Sequence, residues 1–190
     1  MAKYKINGEY ELEAESRLGL LEQIIIKETI KIEEIKSTSG KMEILSQRNK
    51  KWKDLKLGNS KLTVGEYGCV ITCISMFSSW YGEIKYPDYL AKKLKYTPSG
   101  LLYWSSMDSK TPMKFVRRYY SRNDKKIKEI LYSKNNACIL QVNNGKHWVA
   151  LIGYSKLYGY KIADPIDARV VWLKHRYTDI TGFTEVTRNN

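Results

Sequence analysis

The chain has 190 residues, of which 43% are hydrophobic and 28% charged, and its formal net charge is +13. This length can bury the core of one domain, and the composition is that of a soluble globular protein rather than a disordered one. Uninterrupted apolar runs, such as Ile24 to Ile26, are far too short to cross a membrane. Charged residues near the N-terminus leave no hydrophobic signal region, so we expect the protein to start in a cytoplasm.

The positive charge is concentrated after residue 43. Residues 1–43 have a net charge of −2, and the rest of the chain carries +15. A basic surface of this size suggests an anionic partner, such as nucleic acid, an anionic cell-wall polymer or an acidic protein. Solubility is the simpler alternative, because the lysines in "AKKLKY" and "NDKKIKEI" fall on faces open to water. No nucleic-acid-binding motif accompanies the charge, so no specific nucleic-acid partner is expected.

The first 42 residues form an accessory segment in our interpretation. Asn7-Gly8 is a strong signal for a two-residue hairpin connection, and alternating apolar residues flank it. Residues 18–35 fit both a helical heptad and a strand period of two, so a β-rich segment and a coiled-coil or docking helix remain alternatives. The stretch "STSGK" is typical of a linker. A main domain over residues 43–190 follows.

Helices are predicted in the first part of the main domain. The run "GCVITCISMFSSWYG" predicts a helix that Gly82 can close, and "YPDYLAKKLKYT" predicts a second helix with Pro87 near its start. We also predict helices over "TPMKFVRRYYS" and over "NDKKIKEILYSKN", the latter with Asn123 or Asp124 as its N-cap.

Strands are predicted in the second part. The segments "ACILQV" and "HWVALIGY" are joined by "NNGK", which is typical of a hairpin, and "SKLYG" leads from the second to "YKIAD". Further strands are predicted in "ARVVWL" and "GFTEV". Helices followed by an antiparallel sheet indicate an α+β domain.

Three cysteines, Cys69, Cys73 and Cys138, are too few and of odd number for a disulfide scaffold. No further cysteines or histidines stand at the spacing of a structural zinc site, and we expect neither a metal nor a cofactor. A working thiol is the remaining possibility. We expect Cys73 and Cys138 to be buried in the hydrophobic core.

The candidate chemistry depends on Cys69, His147 and Asp164. Cys69 begins a predicted helix, where unpaired N–H groups and the helix dipole favour a thiolate, and Gly68 before it would allow a substrate carbonyl to approach closely. His147 opens one predicted strand and Asp164 closes the next, so a hairpin brings them together. A thiolate nucleophile needs a base, and the base needs a third group that fixes its tautomer. His175 has no comparable partner and is expected at the surface.

The run "SQRNKKWKDLKLGNSKLTVGEYGCVITCISMFSSWYG", followed by "HWVALIGY" and "YKIADP", resembles the stand-alone branch of the papain-like cysteine peptidases related to bacteriocin-leader-processing peptidases. The resemblance implies a papain-like fold with a helical layer packed on an antiparallel sheet. It also implies Cys69 as nucleophile, His147 as general base and acid, and Asp164 as the residue that orients the imidazole. Gln47 would complete an oxyanion hole with the backbone N–H of Cys69.

The sequence also departs from that family. The transporter-linked relatives carry Asp-Cys-Gly where this chain has Gly68-Cys69-Val70, so cleavage of bacteriocin leaders is not implied. The expected function is hydrolysis of a peptide or amide bond through a Cys69 thioester. The alternatives are a phage or bacterial peptidoglycan amide hydrolase that reaches the cell wall by another route, an acyl transferase, and a non-catalytic binding module. Aromatic residues in "LLYWSS" and Trp148 are expected to line the cleft or to pack at its rim.

Overall fold

The computed structural model describes residues 3–6 and 10–13, which form strands, and residues 41–189. Strand β1 (Lys3–Ile6) pairs antiparallel with β2 (Tyr10–Glu13), and Ile6 lies opposite Tyr10. The predicted hairpin is therefore confirmed, although its connection has three residues rather than two. The ambiguous stretch 18–35 and most of the linker lie outside the described residues.

Two helices carry and support the cysteine-containing segment. Helix α1 (Val64–Tyr67) is followed by α2 (Cys69–Trp80), and Gly68 lies between them. Beyond α2, Gly82 has a φ of +90°, and its N–H donates to the carbonyl of Ser79 at 3.0 Å. A glycine tolerates this left-handed conformation, so the predicted closure of the helix is confirmed.

Two more helices also match their sequence signals. Helix α3 (Pro87–Lys93) begins with the proline that the sequence places there, because a first-turn residue needs no N–H donor. Helix α4 (Asp124–Tyr132) is capped by Asn123, whose side-chain oxygen accepts from the N–H of Lys126 at 3.0 Å. Short 3-10 helices cover Trp104–Met107 and Leu173–His175. None of the helices in the described part of the chain is long and apolar enough for a membrane crossing.

Within the described residues, the main domain contains a sheet of six strands. The strands are β3 (Met113–Tyr119), β4 (Asn136–Val142), β5 (His147–Ser155), β6 (Gly159–Asp164), β7 (Arg169–Trp172) and β8 (Gly182–Arg188). Their order in the sheet is β3-β8-β4-β5-β6-β7, and all neighbouring pairs are antiparallel.

Helices cover both faces of this sheet. Ile139 and Ala150 belong to the core cluster that includes the buried residues of α2 and α3, whereas Leu140 and Val149 belong to the cluster that includes α4. Successive strand residues point to opposite faces, so neighbouring positions enter different cores. Strand β5 is consequently buried along most of its length. The predicted α+β class is confirmed.

One predicted helix is wrong, because "TPMKFVRRYYS" forms strand β3. A helix would place Val116 and Tyr120 on the same side as Met113. Met113 is fully buried, but Val116 and Tyr120 are 45% and 79% exposed. The segment pairs with β8 near the end of the sequence, with Met113 opposite Arg188. This partner overrides the local helical pattern, and it places a strand ahead of helix α4.

Candidate active site

Cys69 is the first residue of helix α2 and is 8% exposed. The prediction that Cys69 begins a helix is therefore confirmed. A Cβ atom at Gly68 would lie 2.6 Å from Cγ1 of Val64, so only glycine lets α1 pack this closely against the start of α2. The sequence suggests that Gly68 leaves room for a substrate carbonyl. In the structure the glycine instead accommodates Val64, and it thereby positions Cys69.

His147 and Asp164 are in direct contact. Nε2 of His147 lies 2.8 Å from Oδ1 of Asp164, and both side chains are buried. Strand β5 pairs Ala150 with Ala163, so continuing this register places Asp164 beside Val149, two residues from His147. Diagonal neighbours of this kind remain within reach of long side chains. The structure therefore brings together the two residues that the hairpin argument pairs.

Asp164 has four hydrogen-bonding or ionic partners. Oδ1 accepts from His147 and from the backbone N–H of Ile166 at 3.0 Å. Oδ2 accepts from the hydroxyl of Tyr177 at 2.6 Å and lies 2.9 Å from Nε of Arg176. Burial by itself raises the pKa of Asp164, but the hydrogen bonds from His147 and Tyr177 outweigh it, so the pKa is lowered. The buried carboxylate is therefore ionised at neutral pH.

His147 carries a proton at neutral pH. Burial alone lowers the pKa of its imidazole, but hydrogen bonds and charge interactions with Asp164 and Cys69 raise that pKa from 6.5 to about 9. Because Nε2 is engaged by Asp164, Nδ1 is the ring nitrogen available to the sulfur. This geometry can hold an imidazolium between a thiolate and a carboxylate.

Gln47 is held beside the same residues by the chain that follows Asp164. Its backbone N–H donates to the carbonyl of Pro165 at 2.6 Å, and its side chain is almost fully buried. Nε2 donates to the carbonyl of Gly65 in α1 at 2.9 Å. Oε1 is buried and has no hydrogen-bond partner within the described residues. The amide nitrogen Nε2 retains a second N–H that can donate to a ligand.

A cleft of about 310 Å³ is lined by Gln47, Cys69, His147 and Trp148, together with neighbouring residues. Asp164 lies behind His147 and does not line it. Trp104 packs against Trp148 with ring centroids 5.4 Å apart, so it supports the wall rather than forming it. Three of the four predicted site residues thus line one opening, and the fourth, Asp164, contacts His147 from behind.

A larger cleft of about 530 Å³ lies elsewhere, between α4 and the turn that joins β5 to β6. Its lining includes Tyr154, Tyr160 and Lys128, but none of Gln47, Cys69, His147 or Asp164. If cavity volume were the only criterion, this cleft would be chosen as the candidate active site. The smaller one is lined by a thiol and an imidazole, Cys69 and His147, and these groups make it the candidate active site.

The two other cysteines and the second histidine, for which the sequence predicts no part in catalysis, lie where they are expected. Cys73 is completely buried, its thiol donates to the carbonyl of Trp148 at 3.6 Å, and burial raises its pKa well above the ordinary value. Cys138 is also buried, and His175 is exposed. Their positions agree with core roles for the two thiols and a surface role for the histidine.

Sequence reasoning missed Arg176 and Tyr177, which contact Asp164. They follow the 3-10 helix Leu173–His175, which comes directly after strand β7. No local sequence pattern distinguishes them from other surface residues. The signal that could have revealed them is topological. The edge strand β7 turns back beside the end of β6, because Arg169 pairs with Asp164. Residues just after β7 can therefore reach the carboxylate.

A helix carrying a cysteine at its N-terminus, packed on an antiparallel sheet that carries a histidine, is the arrangement of the papain-like cysteine peptidases. A family model described as the Peptidase_C39 like family matches residues 41–187. The chain belongs to this family. The family supports a cysteine peptidase as the general class of activity.

A solved structure has a similar fold. It is described as a double glycine motif protease from an AMS/PCAT transporter in complex with the leader peptide. The TM-score is 0.52 at 16% sequence identity, and the match covers 80% of this chain and 94% of the other. At this identity the likeness establishes the shared papain-like fold. A comparison with curated proteins finds no match.

Proposed function

We propose that this protein is a cysteine peptidase that hydrolyses a peptide or amide bond through a thioester at Cys69. One observation carries the proposal: the thiol at the start of α2 and the imidazole of His147 line a single cleft, and His147 contacts Asp164 behind it. A nucleophile, a base and an orienting group are the parts that such chemistry requires. Membership of a peptidase family supports the same reaction class.

The proposed reaction has two halves. The Cys69 thiolate attacks the substrate carbonyl carbon, and the tetrahedral intermediate collapses as the C–N bond breaks and His147 donates its proton to the departing amine. Water then attacks the thioester carbonyl while His147 accepts a proton from it. The C–S bond breaks, the carboxylic acid product leaves, and the thiolate–imidazolium pair is restored.

Two further residues have supporting roles in this proposal. Asp164 would hold the imidazole through Nε2, which keeps Nδ1 directed to the sulfur and to the leaving amine. Gln47 would donate its second Nε2 hydrogen to the oxyanion, together with the backbone N–H of Cys69. The burial of Gln47 and its bond to Gly65 support this role, because a fixed donor needs no reorganisation during the reaction.

Thiol reactivity tests the nucleophile without knowledge of the substrate. Iodoacetamide at neutral pH, followed by peptide mapping, is expected to modify Cys69 rapidly and stoichiometrically, while Cys73 and Cys138 remain unmodified in the folded protein. Cys73→Ala should retain this reactivity and serves as the matched control. If Cys69 reacts no faster than the two buried thiols, the protein is a binding module rather than an enzyme.

The substrate class needs a second experiment. We propose a polypeptide, and the peptidoglycan amide is the alternative that the basic surface favours. The purified protein is incubated separately with an unstructured polypeptide and with peptidoglycan, and products are identified by mass spectrometry. Cleavage that Cys69→Ala abolishes identifies the substrate, and an added amine that appears in the product identifies acyl transfer.

We also propose that residues 43–190 form the peptidase domain and residues 1–42 an accessory segment. The family match begins at residue 41, and β1 pairs with β2, which supports this division. Limited proteolysis of the full chain should yield a stable fragment that starts near residue 41 and keeps a reactive Cys69. Loss of reactivity on that cleavage would show that the accessory segment belongs to the active fold.

A further inference from the structure

The second oxygen of Asp164 is held by two side chains that the proposed reaction does not use. Tyr177 donates its hydroxyl to Oδ2 at 2.6 Å, and Nε of Arg176 lies 2.9 Å from the same atom. The side chain of Asp164 is fully buried. A buried carboxylate is costly unless its oxygens are paired, so these contacts are part of what allows the charge to exist there.

The segment that supplies these two side chains is itself fixed. The backbone N–H groups of Arg176 and Tyr177 both donate to the carbonyl of Leu173, at 2.9 and 2.8 Å. Nη1 of Arg176 contacts both carboxylate oxygens of Asp167, at 3.0 and 2.9 Å. Arg176 thus bridges Asp164 and Asp167, and the two carboxylates hold its guanidinium in place.

We propose that Tyr177 and Arg176 are positioning residues that keep the Asp164 carboxylate ionised and keep its Oδ1 directed at Nε2 of His147. The inference rests on the proposed function. Rotation of the carboxylate about its Cβ–Cγ bond would break the contacts of Tyr177 and Arg176 with Oδ2. The Asp164 carboxylate therefore has one fixed orientation in which Oδ1 accepts from the imidazole, and Nδ1 of the imidazole stays directed at the sulfur.

The pH dependence of Cys69 alkylation measures this role. The Tyr177 hydrogen bond lowers the pKa of Asp164, so Tyr177→Phe should raise that pKa. Asp164 then becomes protonated at a higher pH, which weakens the acceptor that keeps the imidazole directed at the sulfur. The acid limb of the iodoacetamide rate profile is expected to move up by about one pH unit. Arg176→Gln should move it in the same direction, and Arg176→Lys, which keeps the charge, should move it less.

Tyr81→Phe is the matched control. Its hydroxyl donates to the carbonyl of Asn135 at 2.7 Å, so the variant also loses a hydroxyl hydrogen bond, but away from Asp164. The acid limb should stay where it is in wild type. A general loss of stability would affect both tyrosine variants, whereas the proposed role shifts only the Tyr177→Phe profile.

The outcomes separate the two proposals. A reactive wild-type Cys69 whose acid limb is unchanged in both Tyr177→Phe and Arg176→Gln overturns the positioning role and leaves the proposed function standing. An unreactive Cys69 in the wild-type protein overturns the proposed function and the positioning role with it. Tyr177→Phe differs from wild type by a single oxygen atom, so it is the variant of choice if Arg176→Gln does not fold.

Discussion

Nε2 of His147 lies 2.8 Å from Oδ1 of Asp164, although 17 residues separate the two in the chain. The β5–β6 hairpin makes this contact, and the charge state of the imidazole depends on it. The ring interacts with both Asp164 and Cys69, and both groups favour its protonated form.

We expect NMR of the His147 ring to show a titration midpoint near pH 9, because the pKa of this group is raised to about 9. Cys69→Ala should lower the midpoint, since the sulfur both accepts a hydrogen bond and contributes negative charge. The exposed His175 provides an internal reference in the same spectra. A midpoint near 6.5 for His147 in wild type would contradict the proposed ion pair.

The stability of the protein should fall as pH rises above neutral. A group whose pKa is higher in the folded state contributes stabilisation that is complete below its unfolded pKa, 6.5 for His147, and is lost as pH rises through about 9. The full difference corresponds to about 3 kcal/mol. Urea unfolding at pH 6 and pH 10 should therefore show a larger loss for wild type than for His147→Gln. Equal losses in the two proteins would disprove the linkage.

Gln47→Ala should separate oxyanion stabilisation from thiol reactivity. Loss of one oxyanion donor lowers the turnover rate by about 10²–10³-fold in comparable sites. Alkylation by iodoacetamide passes through no tetrahedral oxyanion, so its rate should change little. Turnover on a cleavable substrate and alkylation are measured on the same preparation. A parallel loss of both would indicate that Gln47 supports the packing of Cys69 instead.

Gly68→Ala should disturb the start of α2. The added methyl group would collide with Val64, and relief of this contact moves the residue that carries the thiol. We expect a strong reduction in the alkylation rate of Cys69. Gly82→Ala is the control, because its Cβ meets no atom within 4 Å and the variant suffers only the strain of a φ of +90°. That strain costs about 1 kcal/mol and should leave alkylation unchanged.

Paired substitutions test the assignment of β3 as a strand. Met113→Asp introduces a charge at a fully buried position, whereas Val116→Asp introduces it at a position that is 45% exposed. An unpaired buried charge costs several kcal/mol, so the first variant should unfold at much lower urea concentration than the second. Similar destabilisation by both would indicate the helical arrangement of this segment.

Much of the fold follows from local sequence signals. The proline of α3, the asparagine cap of α4 and the glycine after α2 each mark a helix end by a mechanism that acts within a few residues. Strands β4, β5 and β6 follow each other along the chain and are joined by short connections, so their pairing is also local. In each of these cases the residue and its partner are close in sequence.

Distant partners explain what the sequence did not reveal. Strand β3 pairs with β8, and nothing near Met113 signals that pairing. Arg176 and Tyr177 reach Asp164 because β7 returns beside β6, a relationship set by the sheet rather than by spacing. For the candidate site, sequence identified the residues proposed to react and missed those that hold the carboxylate.

Strand β8 sits between β3 and β4, although it is the last strand in the described part of the chain. During synthesis the ribosome therefore releases the thiol and the imidazole before the interior of the sheet can be completed. Without residues 182–188, strand β3 would have no partner strand, and β4 would be left with an open edge. The connection of β3 to the strands that carry His147 and Asp164 thus depends on residues far along the chain from all three.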